Sequence, residues 1–216
     1  KRAINAVKSN KDINVLTSTA IKNMKGFIGN FDVTIQKGKQ KPRTIQVGTI
    51  IVASGAANFE PRGMFAYGES ENVITQLQLE ELLKTGKLKK PERVVMIQCV
   101  GARQETDRTY CSRVCCMTAL KNSMLIKELY PDTDIYILYR ELQTYGKEYE
   151  EWHRMAQDKG IKFIKYALER LPIVTATPNG KLSVKVHHAL LDEEMTIESD
   201  LVVLSTPLIQ HEDGKA

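Results

Sequence analysis

The stretch CVGARQETDRTYCSRVCC, residues 99–116, holds all four cysteines of a 216-residue chain. Their spacing is C-x11-C-x3-C-C. Thiols crowded in this way can hold an iron–sulfur group, hold a structural zinc, exchange electrons as dithiols, or pack as idle core side chains. The last reading is weak, because adjacent Cys115 and Cys116 cannot both face one core stripe. As thiolates, soft sulfurs favour iron–sulfur or zinc over hard cations. The spacing matches neither the paired C-x2-C of a zinc ribbon nor the C-x2-C-x2-C run of a bacterial ferredoxin. Iron–sulfur, zinc and thiol redox chemistry all stay open on these residues. A secreted disulfide framework would spread its cysteines along the chain to close loops. Crowding in one segment instead points to a reducing cytoplasm and a local site.

The elements around the cysteines must bring them together. RVVMIQC reads as a buried strand that ends at Cys99. SRVCCMTALKNSMLIKELYP reads as a helix stopped by Pro131. Cys111 then falls at or just before the helix start. Cys115 follows on the same face, and Cys116 lies about 100° further round. A strand end facing a helix N-terminus is where a doubly wound fold holds a phosphate. Free N–H groups and the positive end of the helix dipole would equally suit an anionic thiolate group. A nucleotide site here would need GxGxxG after the strand. The chain has QCVGAR, with Gly101 as its one glycine, so a nicotinamide nucleotide is not expected in this unit. Arg140, at the end of DIYILYR, reads as a surface residue.

The remaining chain supplies the frame. Residues 12–54 read as strands, with FDVTIQ, the turn KGKQKPR and TIQVGTIIVAS forming a hairpin. That hairpin leads into a buried strand, Ile50–Ala53, ending at Ser54-Gly55. A helix is predicted over 75–86, capped by Thr75 and closed at Gly86. Pro91 marks a boundary. Beyond it come the strand 93–99, the cysteine helix, the strand 134–140, a helix over 147–160 and the strand IKFIKY. A β-hairpin or meander with a Pro178-Asn179-Gly180 turn follows, then a last buried strand, Leu201–Ser205. Alternating strands and helices predict right-handed βαβ units on a parallel sheet. Tyr149 and Trp152 read as core packing. His187-His188 sit in the hairpin with no metal-binding pattern.

The totals narrow the classes. A hydrophobic share of 42% is enough for a core without crosslinks. The net charge of +5 is spread through loops such as KGKQKPR and KTGKLKK, with no basic face or reading motif for nucleic acid. No apolar run is long enough for a transmembrane helix, and the start has no apolar signal region. A first residue of Lys suggests a piece of something longer.

IIVASGA, the following PRG, VVMIQCVGAR, YCSRVCCMTALKN and ILYRELQTYG together resemble the flavin-binding core of the heterodisulfide reductase A-subunit family. The resemblance implies an α/β, thioredoxin-reductase-like fold. In it a nicotinamide-domain-like βαβ unit (91–200) is inserted into part of an FAD domain (1–90, resuming at 201–216). It implies a [4Fe–4S] cluster on Cys99, Cys111, Cys115 and Cys116, and FAD in the full-length protein. It implies a cytoplasmic oxidoreductase of an anaerobe that exchanges electrons with iron–sulfur partner subunits, with flavin-based electron bifurcation in some members. The flavin would be approached by Ala53, Ser54 and Gly55 and by Ser205, Thr206 and Pro207. Lys121, on the cysteine helix, is a further candidate to reach the flavin ring, beside an ordinary solvated role. Arg103 and Arg113 would offset the cluster charge, dock a partner or cover surface. The first FAD strand with its GxGxxG turn, most of the last FAD segment and the ferredoxin modules are not in this sequence. The fragment alone is therefore expected to be inactive, and no residue is expected to make or break bonds in a substrate. Two other classes stand beside this reading: a zinc-stabilised interaction module without activity, and a pyridine-nucleotide-dependent disulfide reductase.

Overall fold

The computed structural model describes residues 2–211. The chain divides into two compact units at Ser54/Gly55. In the first unit, α1 (Arg2–Ser9) precedes an antiparallel sheet of β1 (Thr19–Phe27), β2 (Asn30–Lys37) and β3 (Arg43–Val47), in that order. The tight β1–β2 turn depends on Gly26, whose φ is +109° and whose Cβ would run into the Asn30 carbonyl oxygen. Val33 and Ile35 are the buried hydrophobic residues of this unit, while Ile21, Met24 and Phe27 are exposed.

The expected buried strand at Ile50–Ala53 does not form. Residues 49–56 have no regular structure, and Ile51 and Val52 are 86% and 83% exposed. An apolar run becomes a buried strand only when neighbouring strands satisfy its backbone and other layers cover its faces. No described strand pairs with these residues. Ala53, Ser54 and Gly55 consequently lie in exposed, irregular chain at the unit boundary and not at a strand end.

The second unit contains β4 (Ala57–Asn58), β5 (Val73–Thr75), α2 (Gln76–Thr85), β6 (Arg93–Ile97), α3 (Cys115–Leu129), β7 (Asp134–Tyr139), α4 (Tyr149–Asp158) and β8 (Lys162–Lys165). It continues with β9 (Ile173–Ala176), β10 (Leu182–His188), β11 (Glu193–Ser199), β12 (Leu201–Leu204) and β13 (Leu208–Ile209). The central sheet is parallel, in the order β5-β12-β6-β7-β8. It takes in Val73–Thr75 and Leu201–Leu204 as well as the strands within 91–200. β9, β10 and β11 form an antiparallel meander, and β13 pairs with β4.

Successive residues of a strand point to opposite faces, and β6 shows what each face meets. Val95 and Ile97 pack with Leu138, Val202 and Leu204 against Leu182, Val184 and Val186 of the meander. Val94 and Met96 pack with Ile137 and Val203 against Leu79 of α2 and Ala119, Leu120 and Ile126 of α3. With both faces covered, Val94 through Ile97 are fully buried, and an unbroken apolar run is the sequence that such a strand needs.

α2 forms where its caps dictate. The Thr75 hydroxyl accepts from the Gln78 N–H, and the Gln78 side-chain oxygen accepts from the Thr75 N–H at 2.7 Å. This reciprocal pairing satisfies two of the donors a helix start leaves free. Gly86, at φ +66°, closes the other end. α4 departs from expectation: Trp152 and Tyr149 are exposed, and Ala156 is its buried residue. It packs beside α3 near the sheet edge, where one narrow stripe is covered.

Asp200 ties the meander to the sheet. Its carboxylate accepts from the N–H groups of Glu92 at 2.7 Å and Arg93 at 2.8 Å. Burial pushes the carboxyl up, but these N–H groups and Lys181 outweigh it and leave it below the usual value. Asp200→Ala is expected to cost about 1–3 kcal/mol at neutral pH. A depressed carboxyl stabilises fully above its unfolded pKa of about 3.9 and loses that contribution as pH falls through the folded value. Urea titrations of both proteins should show the difference shrinking on acidification; a pH-independent difference would contradict this account.

Candidate functional site

β6 lies between β12 and β7, so its carboxyl end is held on both sides. Gln98 N–H donates to Leu138 O at 2.9 Å, and Val100 N–H donates to Ser205 O at 3.1 Å. Just beyond the strand the chain turns sharply, with Cys99, Gly101 and Arg103 at φ +60°, +74° and +53°. The loop folds back on itself through Arg103 N–H to Tyr110 O at 3.2 Å and Gln104 N–H to Arg108 O at 3.3 Å. Arg108 fastens it to its start, donating from Nε to Gly101 O at 2.7 Å, with its guanidinium 4.3 Å from the Phe59 ring centre.

α3 begins at Cys115, with Val114 as N-cap and no side-chain cap. Cys111 therefore lies ahead of the helix and does not share a helical face with Cys115. Arg113, at φ +65°, is the break, since a left-handed residue cannot continue a right-handed helix back to Cys111. Arg113 N–H instead donates to Cys111 Sγ at 3.3 Å. Cys115 and Cys116 are the first two helical residues, at the end where N–H groups lack intrahelical partners.

Despite this difference, Cys99, Cys111, Cys115 and Cys116 line one small cavity, with Arg103 and Glu141 beside them. All four are free thiols. Cys115 Sγ donates to Thr206 O at 3.3 Å. Burial, with the other three sulfurs close by, pushes the Cys115 thiol up to about 12. Burial likewise raises Cys116 to about 11, partly opposed by a backbone hydrogen bond from Gln143. Thiols of this kind become ligands only by exchanging a proton for a cation.

The donor set fits an all-thiolate metal group in its chemistry. Its spacing is a separate matter. Among the described residues no three His, Cys, Asp or Glu side chains are grouped to hold a single metal ion, whereas a zinc site draws every sulfur to about 2.3 Å of one point. The cavity is about 10 Å³, roughly the room of one water. Accepting a metal group requires the thiols to shift, inward around a single ion or outward around a larger cluster, and the irregular loop between Val100 and Val114 is where the chain can give.

Charge surrounds the loop. Arg103 pairs with Glu141 at 2.6 Å. Arg113 lies 4.5 Å from the Tyr145 ring centre and donates from Nε to its hydroxyl. Arg140 is not the surface residue expected: it is buried, donating to Arg103 O at 2.8 Å and Ala102 O at 2.6 Å. Its partners lie far away in sequence, so nothing local to DIYILYR signals its role.

A second cavity of about 170 Å³ adjoins the first through Cys115, which lines both. Ser205 and Thr206 line it at the carboxyl end of β12, with Gln76 and Asn58. Gln76 Nε2 donates to Ser205 Oγ at 3.2 Å, and Asn122 Nδ2 donates to Gln76 Oε1 at 2.8 Å. Pro207 follows directly, its carbonyl accepting from Phe59 N–H at 2.9 Å. Lys121 pairs through its amine at 2.5 Å with Glu80, which lines both this second cavity and a groove of about 850 Å³ between α2 and α3. His187 pairs with Asp192 at 2.9 Å in the meander.

A parallel sheet with helices on one face and a three-stranded meander on the other, and a site at the carboxyl ends of its central strands, is a thioredoxin-reductase-like α/β architecture. L-lysine 6-monooxygenase from Pseudomonas syringae aligns over 91% of this chain and 53% of its own, with TM-score 0.51 and 11% identity. Thioredoxin reductase of T. acidophilum covers 88% and 53%, with TM-score 0.46 and 16% identity. No family model matches the chain. In sequence, the chain is similar to a segment of heterodisulfide reductase A-subunits. It is 43% identical over 193 residues to the iron-sulfur A-subunit of CoB--CoM heterodisulfide reductase from Methanocaldococcus jannaschii. It is 40% identical over 193 residues to the A-subunit of H(2)/formate:CoB-CoM heterodisulfide,ferredoxin reductase from Methanococcus maripaludis. Each match takes in 81% of this chain, which spans 29% of those relatives' length. Among the described residues no helix is long and apolar enough to cross a membrane.

Proposed function

We propose that this chain is the cysteine-bearing part of a cytoplasmic, flavin- and iron–sulfur-dependent oxidoreductase subunit, and that it passes electrons between FAD and iron–sulfur centres. The observation that carries the reading is the lining of one cavity by four thiols, delivered from a strand end, a loop and a helix start. Cys99, Cys111, Cys115 and Cys116 would hold a [4Fe–4S] cluster. The N–H groups at the start of α3 and the Arg103 guanidinium would face its negative charge. When bound, the cluster supplies one-electron transfer and the flavin the conversion between one- and two-electron steps. Ser205, Thr206 and Pro207, on the far side of Cys115, would meet the flavin in the full-length protein, with Ala53, Ser54 and Gly55. Lys121 would first have to leave Glu80. On this reading the segments flanking 91–200 belong to the FAD domain, and the electrons pass to iron–sulfur partner subunits. The family resemblance alone supports a bifurcating role.

The test is the composition of the full-length protein purified without oxygen. Iron and acid-labile sulfide are expected together, with FAD, and with a broad visible absorbance that dithionite bleaches. Stoichiometric zinc in a colourless protein, after anaerobic reconstitution with iron and sulfide, would instead establish the interaction-module reading. Measurable NADH or NADPH binding at residues 91–200 would favour a pyridine-nucleotide reductase.

A further inference from the structure

Behind the cysteine loop lies a guanidinium with no carboxylate. Arg140 is 9% exposed, and it meets only neutral groups: it donates to the carbonyl oxygens of Ala102 and Arg103 and lies against the Tyr166 hydroxyl. Its Nε is buried with no partner. It forms no ion pair within 4.0 Å among the described residues, unlike Arg103, which has Glu141. The groups around it are also under-satisfied. Gln98 is fully buried with neither amide atom partnered, and Arg103 Nη1 is buried without a partner. The Tyr166 hydroxyl, donating to Gln98 O at 2.6 Å, supplies no charge while protonated.

An unpaired charge in such a place costs several kcal/mol. Carbonyl dipoles compensate part of that cost, and an anion would compensate the rest. Ala102 and Arg103, whose carbonyls hold Arg140, themselves line the thiol cavity. Neutral thiols supply no anion, but four thiolates gathered on a metal group do.

We propose that Arg140 is the buried counter-charge of the cysteine centre, fixing the turn after Cys99 through two carbonyls and offsetting the negative charge of the thiolate-bound group. It touches the loop and not the sulfurs, so it is a positioning residue. The inference rests on the iron–sulfur reading above. Its signature is a reduction potential, because adding an electron to an anionic centre is easier beside a fixed positive charge. Lysine keeps that charge without the two-pronged fork, whereas methionine keeps much of the volume without the charge.

The experiment compares Arg140→Met and Arg140→Lys with the wild type in the full-length protein, prepared without oxygen. Iron and sulfide are assayed, and the midpoint potential is read by EPR-monitored titration. Arg140→Met is expected to shift the reduction equilibrium about tenfold towards the oxidised form, which is about 59 mV for one electron. Arg140→Lys is expected to stay within about twofold of wild type. Loss of iron from Arg140→Met alone, with Arg140→Lys loaded at nearly the wild-type potential, supports the same conclusion. A loaded Arg140→Met at the wild-type potential overturns the inference. So do two variants that lose iron alike or shift alike, since charge would then not be the cause. A wild-type protein without iron and sulfide removes the iron–sulfur reading and this inference with it, whereas a loaded wild type indifferent to Arg140 removes this inference alone.

Discussion

Cys115→Ala in the full-length protein, prepared without oxygen, is expected to lose its iron and sulfide and the accompanying visible colour. Removing a group that merely supports a ligand typically costs about 10–100-fold in metal affinity, and removing the ligand itself costs more. No substitute stands ready: Glu141, the carboxylate on the cavity, is engaged by Arg103. The fold has little reason to notice. Cys115 is the first residue of α3, where alanine is well tolerated, and its sulfur makes one hydrogen bond, to Thr206 O. Thermal unfolding of the metal-free variant should stay within about 1 kcal/mol of wild type stripped of its metal. Metal analysis and calorimetry on the same preparations separate the two effects. A variant that keeps its iron would remove Cys115 from the ligand set, and one that unfolds would show a structural role that the hydrogen bonding does not suggest.

Gly101→Ala is expected to destabilise the second unit by about 2–4 kcal/mol, from two sources. Its φ of +74° is one that L-residues adopt at a cost, and an added Cβ would press into the Phe59 ring. That ring cannot simply swing aside, because the Arg108 guanidinium lies over it and is anchored to Gly101 O. Denaturant titration should show a lower midpoint at unchanged slope. A wild-type midpoint would mean that the Phe59–Arg108 stack yields freely. The lone glycine of QCVGAR, too little for a dinucleotide loop, thus has its own purpose: it lets the chain leave β6 and pass close beneath an aromatic ring.

What can be read from the sequence follows how local each determinant is. The Thr75 cap, its Gln78 partner and Gly86 bound α2 within a dozen residues, and that helix lies where those residues put it. The apolar runs at 93–97, 134–139 and 201–204 contain their own reason to be central strands. Cys99 at a strand end and Cys115 and Cys116 at a helix start are legible for the same reason. The remaining features depend on partners distant in sequence. Ile50–Ala53 has the composition of a buried strand, yet composition cannot say whether a neighbour will be there. Tyr149 and Trp152 have core-like side chains on a helix that buries only a narrow stripe. Helical periodicity puts Cys111 on the face of Cys115, but Arg113 interrupts it with a backbone angle that no residue type announces. Arg140 ends an ordinary strand, and only the folded loop shows which carbonyls it serves.

The central position of β6 has a kinetic consequence. Its amides, paired on one side with β12 and on the other with β7, should exchange with solvent hydrogen only when the whole unit unfolds. Those of the irregular segment between Arg103 and Arg113 should exchange through small, frequent openings. The four sulfurs join these two regimes, one at the end of a slowly exchanging strand and another within a faster loop. Any group captured between them binds the loop to the sheet. Deuterium uptake over residues 103–113 should slow sharply when that happens, so the loop reports occupancy through its own motion.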